Sequence, residues 1–224
     1  SFHALSVEPV GFEWVALAAL TLLTGSFTVK IPSTNASLSV SEAFVFASVL
    51  MFGPAAGTLT VVLECLVILF WMPAQGRPTH RVLFNLAAPA IAVWTSATLF
   101  FAYSHIVPSV QEVPPLRQLL PPLLGFTLLY FTLNSWLVAL AVGLDAGESA
   151  VRIWRDNFRW VSVNYFSGAS LAALLVTYAR GLDPAALLVI VPLLVVSYLT
   201  FRTATGRIED TNLHLSEQIG RAHV

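Results

Sequence analysis

Hydrophobic positions in this chain gather into seven long apolar runs, separated by short polar stretches. They read Phe12–Phe27, Ser41–Phe52, Pro54–Met72, Val82–Tyr103, Leu119–Leu144, Trp160–Tyr178 and Ala185–Phe201. Most are long enough for the ~20 helical residues that cross a hydrocarbon core. The pattern predicts an all-α, polytopic transmembrane bundle of about seven spans over residues 1–201. The second run is short: it spans only if its approach, Ala36 to Ser41, is also helical, or where the membrane is thin.

Composition sharpens this picture. Hydrophobic residues make up 57% of the chain and charged ones 10%, with a mean hydropathy of +0.78. Soluble domains carry about 25% charged residues. A net charge of −1 excludes the basic footprint of nucleic-acid binding. The single cysteine, Cys65, forms no intrachain disulfide and leaves the redox compartment open.

Positive charges fall on one side. With seven spans and a cytoplasmic C-terminus, the inner segments hold Lys30, Arg77, Arg81, Arg152, Arg155, Arg159, Arg202 and Arg207, and the outer ones only Arg117 and Arg180. The positive-inside rule then places the C-terminus in the cytoplasm and the N-terminus outside. Glu8 and Glu13 flank the first run instead of a basic segment, so it is not a signal peptide. The chain begins at Ser1, and one further helix upstream would make the span number even. Ile219 to Val224 matches an in-frame translation of a common sequencing adapter, so residues 219–224 are expected to be non-native.

The connections have legible chemistry. Ser39 and Glu42 are spaced as a capping box, which favours a cap role for Glu42 over a ligand contact. Gly53-Pro54 ends one helix and starts the next. Gly53 with Gly57, and Gly168 with Ala172, have the small-xxx-small spacing of close helix contacts. In Val151–Trp160, the arginines Arg152, Arg155 and Arg159 lie opposite Val151, Trp154 and Phe158. That segment reads either as an interfacial helix on anionic lipid or as an arginine-flanked membrane entry.

Polar residues inside the runs are the candidates for a ligand site. A charge at membrane depth costs at least ~2.5 kcal/mol on insertion scales, so it is paired or has a task. Glu64 stands about halfway along the third run, while Asn85, Asn134 and Asn164 lie near the ends of the fourth, fifth and sixth. Pro89 and Pro192 free backbone carbonyls in their helices. One reading is a pocket with Glu64 binding a cation or a proton; the other is interhelical hydrogen bonding. There is no HExxH, GxSxG or phosphate-binding loop in the sequence. The histidines lie in loops or tails, so no catalytic residue, metal site or cofactor is predicted.

Beyond Phe201 the chain turns polar and helix-compatible, with Ile208 and Leu215 a heptad apart. Residues 202–218 are expected to form a cytoplasmic juxtamembrane helix that couples signals and allows a homodimer.

Several strings carry a family resemblance. They are Phe27 to Phe44, Phe52-Gly-Pro-Ala-Ala-Gly57, Leu83 to Pro89, Tyr130 to Trp136, Asn164 to Ser170, Ser197 to Thr203 and Gly206 to Asp210. Together they resemble the N-terminal membrane domain of bacterial HD-GYP and GGDEF cyclic di-GMP signalling proteins. The resemblance implies a membrane input module whose enzyme domain lies beyond this sequence, so no catalytic residue is carried over. It implies a multi-pass domain of the bacterial inner membrane and does not identify the stimulus; the expected partners are membrane lipids and a small or lipid-borne ligand.

A second similarity concerns the fold. A Pro/Ser-rich loop, a short helix, Gly-Pro and a longer helix look like the vitamin-binding subunits of energy-coupling-factor transporters, where such a loop closes the ligand pocket from outside. Here the charge bias places Lys30–Ser39 inside. The expected function is therefore an input and anchoring module for signalling, the alternative a small-solute-binding transport subunit.

Overall fold

Lengths and breaks of the helices follow the apolar runs closely. The computed structural model describes residues 11–25, 29–30, 37–38, 41–71, 78–109, 114–158 and 161–178. Expectations for Pro192, the seventh run, residues 202–218 with Ile208 and Leu215, and residues 219–224 lie outside the described residues. Helix α1 covers Phe12–Gly25. Its Thr21 and Thr24 hydroxyls donate to the carbonyls of Leu17 and Leu20 at 2.8 and 2.7 Å, which hides them from hydrocarbon. A two-residue ribbon follows, β1 (Val29–Lys30) antiparallel to β2 (Ser37–Leu38), with Val29 opposite Leu38. This ribbon is the exception to the all-α expectation.

Helix α2 (Ser41–Trp71) is broken at Gly53, whose φ of 86° and ψ of −176° only glycine adopts cheaply. Contacts across the break show a reversal. The Ser48 and Thr60 hydroxyls lie 3.0 Å apart, Val49 packs on Gly57, and the Ser41 side chain is hydrogen-bonded to Glu64. A continuous helix would hold Ser48 and Thr60 about 18 Å apart. So α2 is an antiparallel hairpin, with arms 41–52 and 54–71. Pro54 opens the second arm, where its missing N–H costs no helical bond.

The first arm is buried almost all round: Ala43, Phe46, Ala47, Ser48 and Val49 are each 0% exposed. A helix enclosed on every face needs no amphipathic pattern, which explains its unbroken apolar run. At about 18 Å it falls short of the ~30 Å hydrocarbon core. The segment before it forms ribbon at Ser37–Leu38, not the helical extension that would have lengthened it. Thr60 ties the hairpin to α1. Its hydroxyl donates to Ala56 O at 2.9 Å, so the Ser48 hydroxyl and Trp14 Nε1 (3.2 Å) donate to it.

Helices α3 (Thr79–Ser104) and α4 (Leu116–Ala146) are long enough to cross a membrane, as the fourth and fifth runs predict. Helix α5 (Ala150–Asn157) meets α6 (Ser162–Tyr178) at 58°. That angle fits the interfacial reading of the arginine-rich segment better than a straight entry. Among the described residues, full-length crossings are fewer than seven, because α1 and the first arm of α2 are short. Leu83, Ile91, Leu124, Leu128, Leu171 and Leu174 are exposed on α3, α4 and α6. An apolar outer surface of this kind faces lipid, and the protein is a multi-pass membrane helical bundle.

The core gathers around α2, which touches α1, α3 and α6. Phe46 meets Phe126 and Tyr130 edge-on, with centroids 5.1 and 5.6 Å apart, and Tyr130 meets Tyr165 at 5.1 Å. Gly168, read from sequence as a close-packing glycine, lets α6 approach the start of α2. A Cβ there would sit 3.0 Å from Glu42 Cβ and 3.3 Å from Ala43 N.

Candidate functional site

Hairpin geometry sets the site. Reversal at Gly53 brings the start of α2 beside its second arm, so Glu42 and Glu64 stand close enough for their charges to interact. Glu64 lies seven residues before Trp71, about 10 Å inside the end of the helix. The first half of α3 and the second half of α4 close the space opposite. The result is a cavity of about 540 Å³.

Polar groups come from all three helices. Glu42, Glu64 and Cys65 belong to α2, Arg81 and Asn85 to α3, and Tyr130 and Asn134 to α4. Apolar walls are supplied by Val61, Ile68, Leu69, Val82, Phe84, Ala88, Pro89 and Val138. Such a mixture, an apolar lining with a few convergent polar groups, is the usual make-up of a small-molecule pocket, and the volume lies in the ordinary range.

Hydrogen bonding in the cavity is one-sided. Glu42 Oε2 and Asn134 Oδ1 are enclosed and have no hydrogen-bond partner among the described residues. Asn134 Nδ2 donates to the Tyr165 hydroxyl at 2.8 Å, and the Ser41 side chain is engaged with Glu64. Pro89 has no N–H to give the Asn85 carbonyl one turn earlier, and both residues line the cavity. At the mouth, Arg81 Nη2 donates to both Asp145 carboxylate oxygens, at 3.0 and 2.8 Å. Both partners are 58% exposed, so the bridge contributes only about 0–1 kcal/mol. Its effect is geometric, pinning the start of α3 to the end of α4.

Of the residues singled out in sequence, Glu64, Asn85 and Asn134 share this cavity. Asn164 is buried on α6 and does not line it. Asn134 serves both readings at once, lining the cavity while its amide nitrogen binds Tyr165 on α6. Glu42 differs from the sequence reading most. Ser39, the other half of the capping box, lies outside the described residues, while Glu42 faces the cavity with an orphan oxygen. Sequence reasoning passed over Tyr130, Cys65 and Arg81. A tyrosine inside an apolar run was the available signal, because its hydroxyl needs a polar environment. His80 and His105 are exposed, as solvated loop or helix-end residues should be.

No family model and no curated protein matches the sequence. The fold is similar to a solved structure of the S component of a bacterial ECF transporter, with a TM-score of 0.52 and 14% sequence identity. That likeness covers 75% of this chain and 93% of the other. At such low identity the likeness concerns the fold, which is the one the short-helix, Gly-Pro, long-helix order suggested.

Proposed function

We propose that the protein is a membrane-embedded small-solute-binding subunit, with its ligand held in the cavity between α2, α3 and α4. The observation that carries this reading is the cavity itself: about 540 Å³, with Glu42, Glu64 and Asn134 converging on it from two helices. The similarity in fold to the S component of a transporter supports it. Two carboxyls kept at membrane depth are expensive, and a bound solute gives them a task. Input to a cyclic di-GMP signalling enzyme is the second reading, favoured by the ordered strings from Phe27 to Asp210. Both readings need a ligand in the bundle, and they part at the step after binding.

Mild extraction from the membrane, followed by denaturation and mass spectrometry of released small molecules, tests the shared step. Val138→Trp, which fills the cavity from α4, is the control. One compound should accompany the wild-type chain at near-stoichiometric amounts and fall at least tenfold in the variant. Equal small-molecule content in both would remove the binding role. A gain or loss of that compound in cells expressing the protein, against an unchanged content, then separates transport from signalling.

A further inference from the structure

The lining of the cavity holds two carboxyls and two enclosed oxygens that lack a hydrogen-bond donor among the described residues. Asn134 Nδ2 donates to the Tyr165 hydroxyl, Ser41 is engaged with Glu64, and Arg81 Nη2 is bound to Asp145. Glu42 Oε2 and Asn134 Oδ1 are enclosed and unpartnered among the described residues. An occupant has to bring donors, because a buried acceptor without one costs about 1–3 kcal/mol.

Charge points the same way. Two carboxyls line the cavity, and among the described residues its one basic side chain is paired with Asp145 at the mouth. A positive group set between Glu42 and Glu64 would give both carboxyls a partner at once. Tyr130 and Phe84 add aromatic surface to the lining, which attracts a cation further. A bare divalent metal fits less well. Hard cations take six or more oxygen ligands, and no group of three His, Cys, Asp or Glu comes together among the described residues.

We propose that the cavity binds an organic monocation, an ammonium or amidinium compound, whose charged end sits between Glu42 and Glu64 and whose apolar part lies against Tyr130 and Phe84. This rests on the solute-binding reading and specifies the substrate class of that same cavity.

The test uses the full chain in lipid nanodiscs and follows its thermal unfolding. Benzamidine, benzamide and benzoate share a shape and differ in charge, and choline and phenethylamine widen the cation set. Benzamidine or another of these cations should raise the midpoint by several degrees at millimolar concentration, with benzamide and benzoate inert. Glu42→Gln and Glu64→Gln should each weaken the effective cation at least tenfold, whereas Asp156→Asn on α5 should not. Ligand-free midpoints of the variants check that they fold. Equal stabilisation by benzamide or benzoate, or release of a neutral or anionic compound from the purified chain, would overturn the cation assignment and leave solute binding standing. Stabilisation by magnesium or nickel ions alone, or by none of the three cations, would overturn it as well.

Discussion

Two glycines hold the site together, and each is required for a different reason. Gly53 must adopt φ of 86°, where a side chain collides with the backbone; Gly168 must leave room for Glu42 and Ala43 of α2. Gly53→Ala should cost about 1–3 kcal/mol by forcing a strained backbone. Gly168→Ala should cost about 1–3 kcal/mol by overpacking, and should also move Glu42 away from the cavity. Gly125, exposed on α4 with nothing within 4 Å, is the contrast, and Gly125→Ala should be neutral or mildly stabilising. Thermal midpoints in one detergent rank the three. A Gly168→Ala midpoint equal to that of Gly125→Ala would mean that α6 does not press on Glu42 as described.

At the scale of elements, the sequence exposes helices more readily than their neighbours. Apolar runs mark α1, both arms of α2, α3, α4 and α6, because lipid-facing and core-facing sides are both hydrophobic. The Gly53-Pro54 pair announces the break, since glycine and proline act locally. That the break is a reversal depends on Ser48 meeting Thr60, and on Val49 meeting Gly57, contacts that no periodicity encodes. For the same reason Glu64 is conspicuous in one dimension and Glu42 is not: one interrupts a run, while the other sits where a cap is expected. Cross-helix register alone makes them a pair. The two-residue ribbon left no signal, being too short for an alternating pattern.

Helix α5 has consequences of its own. Ile153 is buried and Trp154 is stacked on Trp136 at 5.4 Å, with its Nε1 donating to Ser135 Oγ at 2.8 Å. Arg152 and Arg155 stay exposed beside Asp156, in surface bridges that leave their charge available. A basic juxtamembrane residue gains about 1 kcal/mol at an anionic surface. The double substitution Arg152→Glu with Arg155→Glu should therefore lower stability in nanodiscs rich in anionic lipid, by about 2 kcal/mol or more. In purely zwitterionic nanodiscs, or at high salt, the difference should shrink towards zero. A deficit independent of lipid charge would assign these arginines to internal packing.

For the whole molecule, orientation in the membrane sets which compartment the cavity faces. Arg81 bound to Asp145, and Trp154 bound to Ser135, place the start of α3, the end of α4 and α5 at the cavity's end of the bundle. That end carries the arginines that the positive-inside rule assigns to the cytoplasm. A transporter-like lid, in contrast, would put the Lys30–Ser39 connection and the cavity outside. Reporter fusions after Asp145 decide between them, with fusions near Gln111 as the opposite face. The charge distribution predicts a cytoplasmic signal at Asp145 and an external one at Gln111. The cavity would then sample cytoplasmic solutes, which suits sensing or export and excludes simple uptake. A periplasmic signal at Asp145 would overturn the charge-based orientation and leave uptake as the direction the cavity serves. Either result fixes the side from which a cation has to reach Glu42 and Glu64.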